Sequence, residues 1–103
     1  QAGIDRYDIT PDALNYLEQY YVPTGNLQIP VVSVHNTVDP LVPFFHEPAF
    51  AQRAAGSGML LQRPVVNYGH CTFDQSQALS NALVVDSFQT LVDWVTTGDK
   101  PTS

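Results

Sequence analysis

Residues 29–35 read IPVVSVH, a short, β-branched and nearly continuous apolar run that stops abruptly in the polar NTVD of residues 36–39. A strand with one wet face alternates apolar and polar residues. A run apolar on both faces belongs to a strand covered from both sides, as in a parallel sheet flanked by helices. The surrounding segments agree with that reading. Residues 60–68, LLQRPVVNY, form a second strand candidate, and Pro64, which has no N–H to give to a ladder, argues for an outer edge of the sheet.

Helical patterns lie before, between and after these strands. Thr10 is placed as an N-cap, with Pro11 at the first helical position, Asp12 in the first turn and Leu14, Leu17 and Tyr21 at helical spacing, so a helix over about 11–21 is expected. Pro23, Gly25 and Asn26 break it. Pro48 suits a helix start and Gly56 or Gly58 its end, which gives a second helix over about 47–55. In the last segment Asp74 is the expected N-cap with Gln77 three residues on, and Gly98 is the stop. Its expected apolar stripe is Leu79, Leu83, Val84, Phe88, Leu91, Val92 and Val95. Strands alternating with helices predict an α/β fold with parallel pairing through a crossover, in one domain spanning residues 1–103.

Composition limits the function. A folded chain of 103 residues buries somewhat over 60% of the surface its unfolded form exposes. Hydrophobic residues make up 44% of it, which argues against disorder. Ten acidic against four basic residues give a net charge of -6. Such a chain repels phosphate backbones and anionic lipid, so neither nucleic acid nor membrane is expected as a partner. No apolar run approaches a membrane span. The single cysteine, Cys71, excludes an intrachain disulfide and a cysteine zinc cluster. A chain that begins at Gln1 rather than Met reads as processed, excised or truncated.

In open parallel sheets, chemistry gathers beyond the carboxyl ends of the strands. Asp39 follows the first strand in HNTVDPLVP, and His70 follows the second in NYGHCTF. Adjacent parallel strands bring both loops to one rim. A carboxylate that accepts the imidazole Nδ1–H fixes the tautomer and leaves Nε2 free to take a proton from a nucleophile. The two side chains are therefore expected within about 2.6–3.2 Å of each other.

The stretch HNTVDPLVP resembles the acid loop of the α/β-hydrolases, commonly His-Gly-x-x-Asp-x-x-Val-Pro, and YGHCTF resembles their Gly-His turn before the last helix. The likeness runs from about residue 29 to 101 and is closest to a bacterial, often exported, esterase-like branch, which leaves the compartment of this chain open. It implies that Asp39 is the triad acid and His70 the triad base, in the family's order of serine, acid, histidine. It also implies a small ester as substrate and no cofactor. Asn36 stands where the loop usually carries Gly, and no Gly-x-Ser-x-Gly elbow occurs anywhere in the chain. The resemblance therefore covers only a partial sheet, the last two parallel strands with their flanking helices of what is a three-layer fold in the parent. The expectation is the C-terminal portion of a serine hydrolase, inert by itself and completed by the rest of the enzyme or by a second copy across the open edge of the first strand. The alternative is a stand-alone α/β module that binds or self-associates and keeps Asp39 and His70 as structure.

Other readings of these residues are plainer. Asp39 alone would be a turn residue capping local amides, and His70 alone a packed histidine. Cys71 reads as a small buried residue behind His70 rather than a reactive thiol. A metal site built from His35, His46, His70, Asp39 and Cys71 is set aside, because their spacing is irregular and lacks any HxH or HExxH pair. For the pairs Tyr20–Tyr21 and Phe44–Phe45, core packing is expected of at least one member each, with a pocket-lining role as the alternative.

Overall fold

The computed structural model describes residues 8–72 and 77–102. The elements run α1 (Pro11–Tyr20), β1 (Val31–Val38), α2 (His46–Ala54), β2 (Leu60–Tyr68) and α3 (Gln77–Thr97), with one 3-10 turn, Ala55–Ser57, after α2. This is a mixed α/β arrangement around a two-stranded parallel sheet. Thr10 caps α1 by accepting from Ala13 N–H at 3.3 Å. Gly58 at φ 67° and Gly98 at φ 79° end the second and third helical segments. The expected N-cap Asp74 lies outside the described residues.

The ladder pairs Val31 with Leu60 through Asn36 with Val65, then skips a step to join Val38 to Tyr68. β1 thus runs three residues past the expected end at His35 and takes in Asn36, Thr37 and Val38. Their polar character reads as a turn. What keeps them extended is the neighbouring strand, which continues to Tyr68, and the shift of register absorbs an extra residue of β2 just before the loops that carry Asp39 and His70.

Alternation along the strands divides the faces. Ser33 Oγ and Gln62 Nε2 both donate to Glu47 Oε2 of α2, at 2.7 and 2.8 Å, and Gln62 also reaches the Glu47 carbonyl at 2.8 Å. Arg63, one residue further along β2, points the other way. Its guanidinium donates to Asp86 Oδ2, Ser87 Oγ and Thr90 Oγ1 of α3 at 2.7, 3.0 and 2.9 Å. The sheet is therefore fastened to α2 on one face and α3 on the other by polar contacts as much as by apolar ones.

The apolar core is small. Among the described residues, the buried hydrophobic side chains are Ala54, Leu61 and Trp94. Of the stripe expected on α3, Val84, Phe88, Val92 and Val95 are 47%, 66%, 38% and 63% exposed, while Trp94, outside that stripe, is 4% exposed. The stripe needed a facing layer wide enough to cover it, and two strands do not supply one. Both Tyr20 and Tyr21 are exposed, so the expected core role fails for that pair; they cluster with Tyr16 on α1, which buries none of its side chains. Phe44 is half-buried outside that core, with its ring 5.8 Å from that of His35, and Phe45 is exposed. The radius of gyration, 17.1 Å, exceeds the roughly 13 Å of a compact chain of this length.

Candidate active site

The carboxyl ends of β1 and β2 bring the acid loop and the histidine turn together. His70 Nδ1 lies 2.8 Å from Asp39 Oδ2, inside the expected hydrogen-bond range. The other carboxylate oxygen, Oδ1, accepts from the backbone N–H groups of Leu41 and Val42 at 2.8 and 2.9 Å. The capping role and the pairing role thus coexist, one oxygen for each. The Asp39 side chain is only 4% exposed and that of His70 41%. Desolvation by its surroundings pushes the Asp39 carboxyl up, but the Val42 N–H, the His70 imidazole and the Leu41 N–H together outweigh it and hold the group at about 2, down from 3.8. Asp39 is ionised at neutral pH, so the proton in the 2.8 Å contact belongs to His70 Nδ1; in the neutral imidazole that leaves the lone pair on Nε2.

The lowered Asp39 value fixes a pH dependence. A carboxyl with a folded-state value below its unfolded one adds stability above the unfolded value, and that stability disappears as pH falls through the folded one. Asp39 should therefore stabilise the chain fully above about pH 4 and lose that contribution as pH falls toward 2. Urea unfolding at pH 5, 4, 3 and 2 checks this: the wild-type advantage over Asp39→Asn should shrink across the series, and a constant difference would contradict it.

The histidine turn has an unusual backbone. Gly69 has φ 133°, and a Cβ there would collide with the Thr72 hydroxyl. Cys71 has φ 56°, the left-handed region that non-glycine residues seldom occupy. Two asparagines hold this turn. Asn36 Nδ2 donates to Gly69 O at 2.7 Å and Thr72 O at 2.9 Å, and Asn67 Nδ2 donates to Thr72 O at 2.6 Å. Asn36 is 1% exposed, and its Oδ1 is buried without a hydrogen-bond partner among the described residues. Leaving such an acceptor unpaired costs about 1–3 kcal/mol.

A cleft of about 170 Å³ opens at this rim, lined by Val34, His35, Asn36, Asp39, Val42, His70 and Cys71. Cys71 is exposed rather than buried behind the histidine, so the packing role expected for it does not hold. His35 also reaches this rim. Its Nδ1–H donates to the Asn36 carbonyl at 2.8 Å, and its Nε2 stands 4.0 Å from Asp39 Oδ2, beyond hydrogen-bond range. His46 lines a separate cleft with Pro23 and Arg53. Among the described residues, no three His, Cys, Asp or Glu side chains gather closely enough to hold a metal ion, and no helix is long and apolar enough to cross a membrane.

Sequence reasoning anticipated the pairing of Asp39 with His70 but not the hydrogen bonds from Asn36 to the histidine turn. The available signal was a departure from the resembled loop, which carries Gly at that position. Comparison with protein-family models, with curated proteins and with solved structures returns no match.

Proposed function

We propose that this chain supplies the acid and the general base of a serine hydrolase acting on carboxylic esters, as the C-terminal part of an α/β-hydrolase whose nucleophile lies outside these 103 residues. The observation that carries the reading is the 2.8 Å bond from His70 to a carboxylate that is itself shielded and ionised. No described residue bonds to His70 Nε2. In the assembled site Nε2 accepts the proton of the serine hydroxyl as its oxygen attacks the ester carbonyl, and Asp39 stabilises the imidazolium that forms. The imidazolium returns the proton to the departing alkoxide, leaving an acyl-enzyme. His70 then activates a water molecule, and its attack releases the acid and restores the serine.

One observation favours a second reading, a self-associating module in which Asp39 is structural. Its Oδ1 caps Leu41 and Val42, which a turn-forming aspartate would do without any catalytic role.

The open flank of β1 supports the fragment reading. Among the described residues β1 pairs only with β2, and beside it Val32 and Val34 line an apolar groove of about 340 Å³ with Val84, Phe88 and Leu91. A strand edge with an apolar face next to it is a template for further chain. The isolated chain should therefore turn over no small chromogenic ester above the buffer rate, and light scattering at micromolar concentration should find assemblies larger than 11.3 kDa. A clean, stable 11.3 kDa monomer would remove the argument for a missing flank. Ester turnover by the isolated chain would remove the external nucleophile.

A further inference from the structure

Asn36 is the most deeply buried polar residue described, at 1% exposure, in the interior of a strand rich in β-branched residues. A β-branched or apolar residue there would suit the strand better and would leave no orphaned acceptor. The two bonds from its Nδ2 run to Gly69 O and Thr72 O, the carbonyls on either side of His70 and Cys71. The amide orientation is therefore fixed, since turning it over would set Oδ1 against two carbonyl oxygens. Between those anchor points the backbone takes φ 133° at Gly69 and φ 56° at Cys71. Strained backbone of this kind persists where its surroundings over-determine it.

We infer that Asn36 is a positioning residue: its amide clamps the turn from both sides and so holds the His70 ring in register with Asp39 Oδ2. The inference rests on the reading of Asp39 and His70 as an acid–base pair. β1 thereby carries both halves of the control of His70, the carboxylate just beyond its end and the clamp within it. The orphaned Oδ1 is a stability cost kept for the sake of the turn. Asn67 grips only Thr72 O, so it cannot fix the Gly69 side of the turn by itself.

The test uses the full 103-residue chain and long-range 15N–1H NMR of the imidazole, which distinguishes the Nδ1–H from the Nε2–H tautomer without any activity measurement. Wild type should hold His70 as Nδ1–H, with a downfield, exchange-protected Nδ1 proton. Asn36→Leu should keep the circular dichroism of the fold but lose that proton and shift His70 toward the Nε2–H form of a free imidazole. In the assembled enzyme the same variant should lose about 100-fold in kcat with KM kept. A folded Asn36→Leu chain that retains the protected Nδ1 proton overturns the clamp while leaving the pair intact. Absence of the Nδ1–H form in wild type overturns the pair itself. Should Asn36→Leu fail to fold, wild type decides alone: the Asn36 Nδ2 protons should be protected from exchange and show scalar couplings across the hydrogen bonds to the Gly69 and Thr72 carbonyl carbons. Free exchange of those protons would contradict the clamp.

Discussion

His70→Ala should reduce ester turnover by the assembled enzyme on the order of 10⁴-fold or more, whereas Cys71→Ser should stay within a few-fold of wild type. The contrast follows from the geometry. His70 is the group whose ring is oriented by a shielded, ionised carboxylate, with Nδ1 held at 2.8 Å and Nε2 left to accept a proton. On the proposed mechanism, removing it takes away the base in both half-reactions. Cys71 shares the cleft and its thiol is exposed, but no hydrogen bond joins it to a described base or carboxylate. Serine occupies a similar volume and meets the same backbone demand at φ 56°. Steady-state kinetics with a chromogenic ester, with circular dichroism as the check on folding, separates the two. Loss of activity in both variants would assign the thiol a part in the chemistry.

Trp94→Ala should destabilise the chain by about 3–5 kcal/mol, while Phe88→Ala should change stability by less than about 1 kcal/mol. A folded domain has about 5–15 kcal/mol in total, so the first variant should lose a large share of it. The difference arises because Trp94 is 4% exposed and Phe88 66%. With so few apolar side chains buried, removing the largest leaves the sheet held to α3 chiefly through Arg63. Denaturant unfolding followed by circular dichroism measures both. In an assembled protein Phe88 should become costly to remove, since it lines the groove that further chain would cover.

Much of this arrangement was legible because it is local. Thr10 before Pro11 announces a helix start, and LLQRPVVNY marks β2 with the bounds found in the structure. The pairing of Asp39 with His70 was legible for a topological reason: both follow strands, and parallel neighbours end at the same rim. The parts that were not legible depend on what lies opposite. Asn36 sits in a polar stretch that reads as a turn, and only the continued pairing with β2 makes it a buried strand residue aimed at the histidine turn. The stripe on α3 was read as core on the assumption of a full sheet beneath it. With two strands present, Trp94 is buried instead and Phe88 stays largely exposed at an open groove. The positive φ of Cys71 is likewise a feature that composition does not signal.

The central claim is that Asp39 and His70 activate a serine supplied from outside these residues. A serine-directed fluorophosphonate, applied to the polypeptide that completes the site and mapped by peptide mass spectrometry, tests it most directly. The expected result is a single labelled serine outside residues 1–103, with labelling lost in His70→Ala. Labelling that persists undiminished in His70→Ala, that falls on a residue within this chain, or that fails altogether in an ester-cleaving preparation would contradict it.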